Sequence, residues 1–98
     1  MTINKNLDGQ TLTLELEGRL DTITAPELEG VLNDSLEGVA ALILDFKSLV
    51  YLSSAGLRVL LAAQKRMAKQ GSMKVKNVND TIMEVFTVTG FCDILDIE

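Results

Sequence analysis

From Val39 to Phe46 every residue is apolar except Asp45. A run this short and this apolar predicts a central β-strand covered on both faces. Such a strand needs neighbours beside it and helices over it. The flanking segments supply both. Thr11 to Glu17 alternates strictly, with Leu12, Leu14 and Leu16 on one side, the pattern of a half-buried strand. Leu57 to about Gln70 places Leu57, Leu60, Leu61, Met67 and Ala68 on one side of a helix and Arg58, Lys65 and Lys69 on the other. Gln64 interrupts that apolar stripe, and a hydrogen bond to a backbone group would account for it.

The remaining segments extend the same alternation. Thr2 to Leu7 reads as a first strand, and Asp8-Gly9 is a hairpin signal. Gly18 is expected to end the second strand, with Arg19 to Ile23 forming a loop. Thr24 and Glu27 have the spacing of a capping box, with Pro26 in the first turn and Leu28, Val31, Leu32 and Leu36 on the inner face up to Gly38. Lys47 to Leu52 is expected to connect the central strand to the second helix, which Gly71 closes. Met73 to Val78 reads as a strand. Asn79 or Asp80 would cap a third helix with Ile82, Val85 and Phe86 inward, Gly90 would end it, and Phe91 to Ile97 would add a last strand through Ile94, Leu95 and Ile97. The order β-β-α-β-α-β-α-β predicts an α/β fold with a mixed sheet of four to five strands and helices packed on it.

Composition narrows the chemistry. At 98 residues the chain is expected to be one domain. It has no histidine, which excludes Ser–His–Asp and Cys–His catalysis and any histidine-containing zinc site. Cys92 is the sole cysteine, so no internal disulfide can form, a reducing compartment is favoured, and a small core thiol is its simplest reading. Neither phosphate-cradling glycine pattern occurs. A net charge of -5, with three phenylalanines and one tyrosine, argues against nucleic-acid binding. Lys65, Arg66 and Lys69 read as a solvated helix face. The first residues lack the pattern of a signal peptide, and no apolar run reaches the ~20 residues that span a bilayer, so a cytoplasmic protein is expected. No nucleophile has a visible activator, since the lysines fall on polar faces, and an enzyme is not expected.

One stretch stands out. In Tyr51-Leu52-Ser53-Ser54-Ala55-Gly56-Leu57-Arg58 two serines sit where strand gives way to helix. A helix start carries unpaired N–H groups and a partial positive charge. Serine is a favoured N-cap, worth ~1 kcal/mol, and that explains one of the two. The second reads either as redundant or as a modified or contacted hydroxyl between small neighbours. Asp21 has two readings as well, a surface turn residue or part of a site, whereas Asp45 reads as a strand-end carboxylate bonded to nearby N–H groups.

Gly18-Arg19-Leu20-Asp21, then Leu42-Ile43-Leu44-Asp45-Phe46, Tyr51 to Leu57 and Val88-Thr89-Gly90-Phe91 resemble, in this order, the motifs of the STAS family. More narrowly the chain resembles bacterial anti-sigma factor antagonists, over essentially its whole length, as a single STAS domain spanning residues 1–98. The resemblance implies a cytoplasmic phosphoprotein of a partner-switching pathway that regulates transcription. The unphosphorylated form would bind an anti-sigma factor that is also a serine kinase of the histidine-kinase-like ATPase fold. Phosphorylation would release it, and a PP2C-type phosphatase would reset the switch. No cofactor and no metal are implied. Aligned on Gly56-Leu57, the family pattern Asp-Ser-Ser/Thr-Gly-Leu makes Ser54 the phosphorylated residue, puts Ser53 in place of the Asp and Ala55 in place of the second hydroxyl residue. It also implies a partner-binding surface of Asp21, Thr22, Ser53, Ser54, Ala55, Gly56, Leu57 and Arg58. The alternative is a STAS subunit of a transporter or lipid-transport complex without a phosphorylation cycle. A small serine-dependent enzyme is a third reading, and it lacks an activator.

Overall fold

Leu12, Leu14 and Leu16 project from one face of a strand and are wholly buried, which sets the side of the sheet on which the core forms. The computed structural model describes residues 1–98. Its elements are β1 (Thr2–Asp8), β2 (Thr11–Leu20), α1 (Ala25–Ser35), β3 (Ala41–Leu52), α2 (Ser54–Gln70), β4 (Ser72–Lys76), α3 (Asp80–Thr89) and β5 (Asp96–Ile97), with a short 3-10 turn at Phe91–Asp93. The five strands lie in the order β1-β2-β3-β4-β5. β1 pairs antiparallel with β2, and the other pairs are parallel. Each parallel strand is added on the same side of the last. Right-handed crossovers then place α1, α2 and α3 on one face of the sheet.

Register and burial agree with that geometry. Leu12 pairs with Leu42 and Leu42 with Met73; Leu14 pairs with Leu44 and Leu44 with Val75. All six are buried, in a core of 24 apolar residues that includes Phe46, Leu60, Ile82 and Phe86. Burial of each large side chain contributes about 1.5–3 kcal/mol. The expectation that β3 is covered on both faces is therefore corrected. Ile43 lies between Thr13 and Lys74, and Asp45 between Glu15 and Lys76, on an open face where these β3 residues are only half-buried. Polar neighbours, with their aliphatic stems, replace a second helical layer there.

Several boundaries also differ from expectation. Gly18 does not end β2. It adopts φ +100°, and the register shifts between Gly18 and Arg19 by one extra residue on β3, while β2 keeps its alternation and continues to Leu20. Lys47 to Leu52 is likewise the second half of β3, not a connector; its buried residues Leu49 and Leu52 follow Phe46 at every third position, which hides the strand period. α2 begins at Ser54, before Leu57. Within it Val59 and Ala63 are buried, and Ala68 is exposed. The Gln64 Oε1 is buried without a hydrogen-bond partner, so the expected backbone bond is not made through that atom. β4 stops at Lys76 because Asn77 turns to φ +59°. Asn79, and not Asp80, caps α3: its Oδ1 accepts from the Ile82 N–H at 2.8 Å, and its Nδ2 donates to the Leu49 carbonyl at 3.0 Å. Gly90 ends α3 as expected. The last strand shrinks to Asp96–Ile97, with Leu95 buried and Ile94 exposed. Cys92 is exposed on the 3-10 turn, which corrects its reading as a core thiol.

Candidate functional site

β2 and β3 end level with each other, with Leu20 opposite Leu52. The next N–H, from Ser53, donates to the Leu20 carbonyl at 2.9 Å. This bond sets the start of α2 beside the loop that leaves β2. Gly56 completes the approach: it is buried, and a Cβ there would lie 2.7 Å from both Leu20 Cγ and Leu52 Cδ1. Only a residue without a side chain lets the first turn of α2 settle onto the two strand ends.

The two serines take different positions. Ser53 is extended (φ −99°, ψ 174°) and half-buried. Its carbonyl accepts from the Leu57 N–H at 3.0 Å, and its hydroxyl accepts from the Gly56 N–H at a long 3.5 Å. It is the N-cap. Ser54 is the first helical residue and is exposed. The first turn of α2 carries no acidic side chain, so nothing in α2 itself offsets the positive end of its dipole. Ala55 is half-buried, Leu57 is buried and Arg58 is exposed.

Across the Leu20–Ser53 bond, Asp21 organises the β2–α1 loop. Its Oδ1 accepts from the N–H groups of Ile23 at 3.0 Å and Thr24 at 3.1 Å. The expected capping box at Thr24 and Glu27 does not form. Thr24 has helical backbone angles, and its hydroxyl turns back to accept from the Asp21 N–H at 2.9 Å and to donate to the Arg19 carbonyl at 2.8 Å. Asp21 captures the free N–H groups one turn earlier. The Thr24 N–H holds the Asp21 carboxyl below its ordinary pKa, helped by the Ile23 N–H, the Thr24 hydroxyl and Arg19, and opposed by partial desolvation.

Four residues absent from the sequence-based set join the same end of the sheet. The Arg19 guanidinium carbon lies 4.1 Å from the centroid of the Tyr51 ring, and its Nε is 3.6 Å from Asp21 Oδ2. Arg19 and Tyr51 are register partners. Tyr51 is 40% exposed, Val50 63% and Ile23 86%. The signal for Ile23, Val50 and Tyr51 is apolar character at loop and strand-end positions that no helical or strand period requires; Arg19 carries no such signal. Thr22, also exposed, lines a shallow groove between the starts of α1 and α2 together with Pro26, Glu29, Ala55 and Arg58. Elsewhere, Asp45 accepts from the Lys47 N–H and from the Asn77 Nδ2 as expected of a carboxylate bonded to nearby N–H groups, but it lies within β3 and not at its end, because the strand continues to Leu52. No group of three histidine, cysteine, aspartate or glutamate residues is placed to hold a metal ion. No helix is long and apolar enough to cross a membrane.

Comparison with known proteins agrees with this arrangement. The STAS domain family model matches residues 2–98. The anti-sigma-B factor antagonist of Bacillus subtilis is 33% identical over 87 residues, covering 88% of this chain and 80% of that protein. An anti-sigma factor antagonist from Mycobacterium paratuberculosis superposes with a TM-score of 0.89 at 22% identity, over 98% of this chain and 83% of the other. SpoIIAA, an anti-sigma factor antagonist, superposes in its unphosphorylated form with a TM-score of 0.78 at 18% identity, over 99% and 87% of the two chains. In its phosphorylated form the TM-score is 0.77 at 19% identity, over 99% and 91%. The chain belongs to the STAS domain family, among relatives that carry the name anti-sigma factor antagonist.

Proposed function

We propose that this protein is an anti-sigma factor antagonist whose unphosphorylated form binds an anti-sigma factor with serine-kinase activity and the histidine-kinase-like ATPase fold. Phosphorylation of Ser54 dissociates the pair, and a PP2C-type phosphatase restores the binding form. The observation that carries this reading is the division between the serines: Ser53 is the N-cap, and Ser54 stands exposed at the first helical position. A relative of the same fold, SpoIIAA, is known in a phosphorylated form.

The physics fits a switch in affinity. A phosphoserine adds about -1.5 to -2 charge and three acceptor oxygens. At the start of a helix without acidic residues in its first turn, that charge is favourable, so the fold survives modification. The surface around it changes more. A doubly charged group arises one residue beyond the Ser53 N–H that joins α2 to the β2–α1 loop of Asp21. Burying it against a partner without a counter-charge is costly.

The test is phosphosite mapping after incubation with ATP and a candidate partner kinase of the histidine-kinase-like ATPase fold. The expected result is one added phosphate on Ser54, lost in Ser54→Ala and retained in Ser53→Ala, which weakens only a cap. A phosphate on Ser53, or none, contradicts the reading; a stable membrane-complex partner with Ser54 unmodified in cells would favour the passive-subunit alternative.

A further inference from the structure

We propose that Arg58 is the intramolecular counter-ion of a phosphate on Ser54, so that phosphorylation both adds a charge to this surface and withdraws a cation from it. The inference rests on Ser54 being the modified serine. Ser54 and Arg58 are four residues apart in α2 and both exposed. Residues at this spacing face each other on a helix surface, and an acid placed N-terminal to a base is the favoured order. The charge of Arg58 is uncommitted: the ion pairs of the molecule are Arg19–Asp21 and Lys76–Glu98. Glu29, across the groove on α1, lines the same depression as Arg58 without pairing to it. Arg19, the other cation at this end of the sheet, is held between the Tyr51 ring and Asp21.

These contacts give Arg58 two roles. In the unmodified chain its guanidinium is free on the groove edge, where a partner's carboxylate can engage it as a fork. In the modified chain the phosphate competes for the same guanidinium from one helical turn away. A partner that uses Arg58 thus loses that contact as it meets the new anion.

The test uses the full chain with phosphoserine installed at position 54 during translation, so no kinase is required. The second ionisation of the phosphate is followed by phosphorus NMR in the otherwise unmodified chain and in Arg58→Gln, Arg58→Lys and Lys65→Gln backgrounds. Arg58 favours the dianion, so Arg58→Gln should raise the second pKa by about 0.2–0.4 pH units, Arg58→Lys should restore most of the difference, and Lys65→Gln should change nothing. High salt should close the gap, because the pair is exposed. Glu29, which lines the groove beside Arg58, and the Arg19, Asp21 and Tyr51 cluster at the end of the sheet are present in every variant, so their influence cancels in the comparison. Identical titrations with and without Arg58 overturn the inference. A kinase that ignores Ser54 would overturn the functional reading instead, and leaves this result standing.

Discussion

The Ser53 N–H donates to the Leu20 carbonyl at 2.9 Å, across the end of the sheet. That bond fixes the α2 start to the β2–α1 loop. It is why Asp21 and Ser54, more than thirty positions apart in sequence, belong to one surface.

Gly56 is the packing element of this junction. Alanine has the higher helix propensity by about 1 kcal/mol, so propensity alone predicts a gain for Gly56→Ala. The structure predicts a loss, because the new methyl would press on Leu20 and Leu52 at 2.7 Å. Overpacking costs typically about 1–3 kcal/mol. Less the propensity gain, the net loss is up to about 2 kcal/mol, so thermal unfolding should show a lower midpoint for Gly56→Ala, at about 4–8 °C per kcal/mol. A raised midpoint would mean that α2 does not seat on the strand ends in this way.

Asp21 should give the loop a pH dependence. Its folded pKa is depressed, so its contribution to stability is present above the unfolded value of about 3.9 and is lost as pH falls through the folded value. Asparagine can accept the same N–H bonds but has no charge to titrate. The stability difference between the native chain and Asp21→Asn, from urea midpoints, should be constant near neutrality and should move against the native chain below about pH 4. A difference that is flat down to pH 2.5 would contradict the capping role of the carboxylate.

Ile23 separates binding from folding. At 86% exposure it contributes little to the core, so Ile23→Ala should leave the unfolding midpoint within about 0.5 kcal/mol of the native value. If the surface around Ser54 is the docking face, the same change should weaken the kinase partner by about fivefold or more, as measured by calorimetry. Unchanged affinity would move the interface away from the β2–α1 loop.

Much of this was legible beforehand, and the misses share a cause. The leucine alternation of β2, a cap for α3 at Asn79 or Asp80 and the Gly90 stop are local signals, and the structure follows them, with Asn79 as the cap. β3 runs further than expected because its register against β2 shifts twice, between Glu15 and Glu17 and between Gly18 and Arg19, and each shift puts an extra residue on β3 that breaks the two-residue period on which strand recognition depends. β2 runs further because its own alternation holds through Gly18 to Leu20. The Thr24 capping box fails because Asp21, three residues earlier, takes the Thr24 N–H, and the Thr24 hydroxyl turns back to Asp21 and Arg19, leaving the Glu27 N–H to the Thr24 carbonyl. Placing Arg19 against Tyr51 requires the register of two strands, which no single segment contains. The serine pair stands out in the sequence, and the N-cap geometry separates Ser53 from Ser54.

The central claim is that phosphate on Ser54 acts on affinity and leaves the fold intact. Its most direct test is calorimetric titration of the kinase partner with the unmodified chain and with the chain carrying phosphoserine at position 54, with thermal unfolding of both. The account predicts affinity weakened at least about tenfold, or 1.4 kcal/mol, with an unfolding midpoint that is equal or higher. Equal affinities, or a modified chain that has lost its cooperative unfolding, would contradict it.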